Sequence, residues 1–241
     1  MAKDHGPVLL IAAAGRGSRM GGEQKKIYLP LAGKPVIAHT MEVFLGLNIF
    51  SQLIVIIAPR EEDIFRQQVL APFFPGEKQI ILLEGGEERQ YSIFNGLQYL
   101  RRKKIPEDTM VCIHDGARPL VSGTLVLDVY REALSYGAAI AGIPLKDTIK
   151  EVDSNLTVLQ TLPREKLSAV QTPQCFKFSI LWQAHCKARS DNFLGSDDST
   201  LVERMGIRVK VVPGDYENLK ITTPEDLKVA EAYLSSRRSF K

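Results

Sequence analysis

The seven-residue apolar run Val8-Leu9-Leu10-Ile11-Ala12-Ala13-Ala14, stopped by Gly15, constrains this chain more than any other stretch. A short apolar run closed by glycine reads as a buried strand of a parallel sheet. Gly15 and Gly17, then Gly21 and Gly22, let the backbone turn sharply and come close to a ligand. Their amides can form a concave nest for an anion. Arg16, Arg19, Lys25 and Lys26 stand in the same loop, and so much positive charge suits a highly charged anion such as a nucleotide triphosphate. A plain glycine turn with solvated basic side chains is the alternative. The dinucleotide fingerprint is excluded because Met20 stands where its third glycine belongs. The P-loop is excluded because no Gly-Lys-Ser/Thr triplet follows four spacer residues.

The rest of the chain alternates strand-like and helix-like stretches. Strands are expected at 53–58, 79–83, 110–113, 138–143 and 207–212, with Lys220 in a further short strand at 219–221. Helices are expected at 36–47, 60–70, 89–101, 125–134 and 179–188. Another is capped by Ser196 to Thr200, and a last one starts at Thr223-Pro224-Glu225-Asp226. In the helix at 89–101, Tyr91, Phe94, Leu97 and Leu100 recur three or four apart, the mark of an amphipathic face. This alternation predicts an α/β fold, a Rossmann-like doubly wound mixed sheet. Residues 144–172 break the pattern. Two alternating β-like stretches flank the turn Asp153-Ser154-Asn155, which reads as a hairpin. It is too polar for a core strand, so it is either a β-arm projecting from the sheet or an edge hairpin.

At 241 residues the chain can bury one good core, so a single domain spanning 1–241 is expected. The net charge of +3 is too small to suggest nucleic-acid binding. No apolar stretch approaches the length of a membrane span, and residues 8–14 are too short for a signal peptide. Cys112, Cys175 and Cys186 show no CxxC spacing, and their odd number fits a reducing cytoplasm.

Ligands of open α/β sheets sit beyond the carboxyl ends of strands, so residues that follow strands are the candidates. The first loop qualifies. Gly85-Gly86-Glu87-Glu88-Arg89-Gln90-Tyr91-Ser92 also qualifies, although a turn plus helix cap is its plainer reading. So does His114-Asp115-Gly116-Ala117-Arg118-Pro119, where an acid and an arginine three apart suit a metal–phosphate site or a structural ion pair. Lys220 reads on its own as a solvated edge lysine.

The form Ala12-Ala13-Ala14-Gly15-x-Gly17-x-Arg19-Met20-Gly21 resembles the signature of nucleotidyltransferases that join a sugar or polyol phosphate to a nucleotide. It is most similar to the 2-C-methyl-D-erythritol 4-phosphate cytidylyltransferase family of the non-mevalonate isoprenoid pathway. That family usually carries Pro-Lys-Gln where this chain has Lys25-Lys26-Ile27, so the lysine at 26 is kept. The resemblance also covers His114-Asp115-x-Ala117-Arg118-Pro119, Asp147-Thr148, Thr172-Pro173-Gln174-x-Phe176 and Asn218-x-Lys220-x-Thr222.

The resemblance implies CTP and a polyol phosphate as substrates, magnesium or another divalent cation as cofactor, and a homodimer that exchanges its arms. Arg19, Lys26 and Lys220 would be the catalytic cations. Ala13, Ala14, Gly15 and Gly17 would hold the nucleotide, and Gly86 and Ser92 would read the cytosine edge. Asp115 would lie by the ribose and the metal. Arg118, Thr172 and Ser196 would face the polyol phosphate, with Thr148 and Arg164 reaching it from the partner subunit. The nearest rival is a ribitol-5-phosphate cytidylyltransferase, which usually has Ala-Gly-Gly where this chain has Ala13-Ala14-Gly15. A catalytically idle nucleotide-binding regulator on the same fold is a second alternative.

Overall fold

The computed structural model describes residues 6–15 and 25–239, with side chains through Arg237. Strand β1 (Val8–Ala12) is an interior strand of a seven-stranded sheet. A short 3-10 turn (Lys26–Tyr28) and a two-residue ribbon, β2 (Pro30–Leu31) with β3 (Lys34–Pro35), lead into α1 (Val36–Gly46). Then come β4 (Gln52–Ile57), α2 (Glu62–Phe65), a π-helical turn (Arg66–Leu70), α3 (Ala71–Phe73), β5 (Ile80–Glu84) and α4 (Arg89–Arg102). The chain continues through β6 (Met110–Asp115), α5 (Gly123–Tyr136) and β7 (Ala138–Pro144). Strands β8 (Ile149–Val152) and β9 (Val158–Leu162) form a separate antiparallel hairpin. Last are β10 (Ser168–Lys177), α6 (Phe178–Ser190), α7 (Asp198–Glu203), β11 (Lys210–Pro213) and α8 (Pro224–Ser239).

The sheet order is β11-β7-β10-β6-β1-β4-β5. All neighbours are parallel except β10, which runs antiparallel to both β6 and β7. The expected mixed α/β sheet is therefore present. Successive side chains of a strand point to opposite faces, and here both faces are covered. Leu9, Ile11, Leu53, Val55 and Ile57 pack under α1, α2 and α5. Val8, Leu10, Ile54, Ile56, Val111 and Ile113 pack under α4, α6 and α7. Gly96 permits the close seat of α4, since a Cβ there would lie 3.1 Å from Ile56 Cδ1. A smaller cluster of Leu31, Val36, Leu120, Ile221 and Ala230 holds α8.

Several expectations need correction. Residues 168–172, read with the arm, belong to β10 in the central sheet; the separate hairpin spans only β8 and β9. Lys220 is not in a strand. Its segment is held by the Ile221 amide on the Ala117 carbonyl, outside every sheet ladder. The helix expected to end at 70 continues through the π-helical turn to Phe73. Register sets Cys175 opposite Cys112, and the two form a disulfide while Cys186 stays free. The antiparallel pairing that joins them is not visible in cysteine spacing. No helix among the described residues is long and apolar enough to cross a membrane.

Candidate active site

Strand β1 is flanked by β4 and β6, and the three end level, with Ala12 opposite both Ile56 and Asp115. The chain leaves β1 towards β4 and β5 on one side and returns to β6 on the other. Ligands of such sheets bind in the crevice where the strand order reverses. A cavity of about 290 Å³ opens there, lined by Ala13, Ala14, Gly15, Lys26, Gly86 and Ser92. A second cavity, of about 380 Å³, is lined by Arg118, Thr172, Gln174, Ser196, Thr200 and Glu203. Arg89, Asp115 and Lys220 line both, so they form the shared wall.

Backbone contacts set the first cavity's shape. The Ala13 amide donates to the Ile56 carbonyl at 2.8 Å, and the Gly85 amide to the Ile57 carbonyl at 2.7 Å. Gly85 lets the turn after β5 approach the first loop, because a Cβ there would fall 2.5 Å from Ala14 Cβ. Ser92 is buried in the first turns of α4. Its Oγ accepts from the Gly86 amide at 3.1 Å and donates to the Glu88 carbonyl at 3.0 Å. Ser92 thus fixes the wall that Gly86 presents.

The shared wall is electrostatically dense. Asp115 Oδ2 takes Lys220 Nζ at 2.9 Å and Arg118 Nε at 3.6 Å, and Oδ1 takes Arg89 Nε at 3.2 Å. Burial alone would raise the pKa of Asp115, but the neighbouring Arg89, Lys220 and Arg118 hold it well below the usual carboxylate range. Arg89 also reaches Asp198 Oδ2 through Nη1 at 2.6 Å, and Asp198 Oδ1 meets His185 Nε2 at 2.9 Å. Arg118 Nη1 donates to the Asn218 carbonyl at 2.7 Å, tying the wall to the segment that carries Lys220.

His114 supports Asp115 from below. Burial lowers its pKa to about 3, so its ring is neutral at ordinary pH. Nε2 lies 3.3 Å from the Arg118 carbonyl, which can only accept, so the ring proton belongs there. Nδ1 is then an acceptor for the Thr172 hydroxyl at 3.0 Å, and Thr172 Oγ1 accepts from the Asp115 amide at 3.1 Å. Thr172 lines the second cavity, yet its hydroxyl is engaged in holding Asp115.

The sequence-derived candidates divide into three groups. Ala13, Ala14, Gly15, Lys26, Gly86, Ser92, Asp115, Arg118, Thr172, Ser196 and Lys220 line one or both cavities. Gly17 and Arg19 lie outside the described residues. Thr148 and Arg164 are exposed around the hairpin and line neither cavity. Arg164 Nη1 donates to the Lys146 carbonyl at 2.8 Å. Lys25, one of the loop cations, pairs with Glu61 and does not line the first cavity. In the sequence Arg89 reads as part of a turn and helix cap. Its carboxylate partners are distant in sequence, so no local signal marks it.

Among the described residues no three His, Cys, Asp or Glu side chains converge as a metal cage. Magnesium does not need one, because a single carboxylate completed by phosphate oxygens suits it. Asp115, on the wall between the cavities, fits that requirement.

A cavity at the switch point behind the first loop, sharing the wall of Arg89, Asp115 and Lys220 with a second polar cavity, is the arrangement of an α/β nucleotidyltransferase site. Residues 8–236 match the family described as 2-C-methyl-D-erythritol 4-phosphate cytidylyltransferase (IspD). The chain belongs to that family. It is 45% identical over 225 residues, 93% of this chain and 97% of the relative, to the enzyme of that name from Caldanaerobacter subterraneus subsp. tengcongensis. The solved 4-diphosphocytidyl-2C-methyl-D-erythritol synthase of Anaerococcus prevotii superposes with a TM-score of 0.80 at 30% identity, covering 96% of this chain and 100% of that one. The Francisella tularensis 2-C-methyl-D-erythritol 4-phosphate cytidylyltransferase gives a TM-score of 0.80 at 29% identity, covering 94% and 99%.

Proposed function

We propose that this chain transfers the cytidylyl group of CTP to 2-C-methyl-D-erythritol 4-phosphate, giving CDP-methylerythritol and pyrophosphate for isoprenoid biosynthesis. The observation that carries the reading is the wall of Arg89, Asp115 and Lys220 common to both cavities. Two bound phosphates would meet across it.

A phosphate oxygen of the polyol phosphate attacks the α-phosphorus of CTP. One P–O bond forms, the bond to the β-phosphate oxygen breaks, and its electron pair leaves with pyrophosphate. No protein nucleophile is needed, because a phosphate monoester is already an anion. The two reactants repel each other, so the protein's work is alignment and charge neutralisation. Lys26, with Arg19, grips the triphosphate. Ala13, Ala14, Gly15 and Gly17 hold the nucleotide, and the Gly86 turn braced by Ser92 faces the base. Lys220 and Arg118 draw in the attacking phosphate, with Thr172 and Ser196 at the edge of its cavity. Asp115 would hold magnesium, which supplies further positive charge at the triphosphate when bound.

The chain acts as one domain, and the β8–β9 hairpin is an arm that serves a homodimer. Val152, Leu156, Val158 and Leu159 of the hairpin are exposed apolar side chains, which a partner would cover. Thr148 and Arg164, outside both cavities of their own chain, would complete the partner's second cavity. The reaction runs in the cytoplasm. There the fully buried Cys112 and Cys175 are shut away from thiol reductants.

Product identification tests the reading. The protein is incubated with magnesium, CTP or UTP, and either methylerythritol 4-phosphate or ribitol 5-phosphate, and products are followed by phosphorus NMR. CDP-methylerythritol is expected, with UTP used far more slowly, because a site built for the cytosine amino group leaves acceptors unpaired with uracil. Preference for ribitol 5-phosphate, or equal use of UTP, would overturn it.

A further inference from the structure

We infer that Glu61 is a positioning residue for Lys26, and that its ion pair with Lys25 restrains the backbone as a proline ring would. Lys25 has φ −66° and ψ 139°. That φ is the one a pyrrolidine ring imposes. Here a lysine is held in the same conformation by its side chain. Lys25 Nζ pairs with Glu61 Oε1, with only 23% and 15% of the two side chains exposed, so solvent screens the pair less than one on the open surface.

The same carboxylate also holds the other side of Lys26. The Tyr28 hydroxyl donates to Glu61 Oε2 at 3.4 Å. The Tyr28 ring meets Phe65 edge-on at 6.3 Å, one helical turn beyond Glu61. Tyr28 is buried, and the Tyr28 amide closes the 3-10 turn on the Lys25 carbonyl at 2.9 Å. Lys26 therefore sits between Lys25 and Tyr28, both tied to Glu61 just ahead of α2, and it lines the first cavity from that turn. Glu61 itself does not line the cavity. It acts through the backbone.

The inference rests on the cytidylyl-transfer reading, so the test uses two readouts. Steady-state kinetics follow turnover, and calorimetry with pyrophosphate follows the Lys26 grip without needing turnover. Glu61→Ala is expected to lower kcat/KM for CTP and pyrophosphate affinity by about fivefold, leaving KM for the polyol phosphate unchanged. Lys25→Pro alone should stay within about twofold of the unmodified protein, because proline fits the native φ. Lys25→Pro combined with Glu61→Ala should regain most of the loss. If Glu61→Ala fails to fold, Lys25→Ala with Glu61 intact gives the same comparison. An unchanged Glu61→Ala protein, or a double variant no better than Glu61→Ala, would overturn the inference. An unmodified protein that binds pyrophosphate but does not turn over would overturn the reaction instead, and the pyrophosphate series would still decide the role of Glu61.

Discussion

Lys220 sets its ammonium 2.9 Å from Asp115 Oδ2, although Asp115 ends a central strand and Lys220 belongs to no strand. The pair closes the wall between the two cavities. Arg89 and Arg118 converge on the same carboxylate. Asp115 therefore both organises the site's cations and offers the single carboxylate that a divalent ion would need.

Asp115→Asn keeps the shape and removes the charge. Turnover at saturating substrates should fall at least about a hundredfold, since the anchor for three cations is lost and, with it, the carboxylate proposed to hold magnesium. Steady-state kinetics check this. Turnover near that of the unmodified protein would show that the wall is structural only.

Thr172→Val tests the support beneath Asp115. The hydroxyl serves two buried partners, the Asp115 amide and His114 Nδ1. Leaving them unpaired should cost about 1–3 kcal/mol. For a domain of this size that lowers Tm by roughly 2–4 °C per kcal/mol. Thr172→Ser, which keeps the hydroxyl, should melt much closer to the unmodified protein in thermal denaturation. If Val and Ser variants melt alike, the hydroxyl bridge contributes nothing.

Much of this arrangement is legible in the sequence, and the gaps have physical causes. The apolar runs of β1, β4 and β6 are continuous because both faces of the sheet are covered, so their strands stand out. Strand β10 does not, because Ser168 to Val170 are polar or half-exposed and its antiparallel partners are far away in the chain. Lys220 reads as strand because Leu219 and Ile221 flank it. In the fold Ile221 instead plugs the α8 cluster while Lys220 turns to Asp115. Arg89 and Glu61 leave no local trace. Their roles come from partners that only the folded chain brings near. The family resemblance points to eleven residues that line the two cavities and passes over others, among them Arg89, Gln171, Asp197 and Glu203.

Helix α8 backs the Lys220 segment, and its start supplies a pH prediction. Asp226 Oδ2 accepts from the Thr222 and Thr223 amides, both at 2.8 Å, and its own amide donates to Thr223 Oγ1. This is a reciprocal cap. Burial alone would raise the Asp226 pKa, but its bonds from Thr222 and Thr223 lower it. The depressed folded value means its stabilisation is fully present above the unfolded pKa of about 4, and is lost as pH falls through the folded value. Asp226→Ala should therefore cost about 1 kcal/mol near pH 7. The gap from the unmodified protein should close as pH drops below about 4. Denaturant titrations at several pH values read both. A gap that is constant with pH would contradict the cap's charge dependence.

The arm predicts complementation between subunits. Lys26 lines the cavity of its own chain, whereas Arg164 lines neither of its own. Lys26→Ala and Arg164→Ala homodimers should each be nearly inactive. A mixed dimer would hold one doubly damaged site and one intact site. With random reassortment half the dimers are mixed, so about a quarter of full site activity should return. Mixing and refolding the two variants, with exchange verified by distinct tags, tests this. Confirmed exchange without recovered activity would make the β8–β9 hairpin a feature of its own chain alone.

The most direct test is pyrophosphate release from CTP and methylerythritol 4-phosphate by the unmodified protein, Lys26→Ala and Lys220→Ala, each with an unchanged melting profile. The account predicts steady release by the unmodified protein. Each variant should lose about a hundredfold or more in turnover, the scale of removing one preorganised cation from a developing anion. No release by the folded, unmodified protein, or equal release by all three, would contradict it.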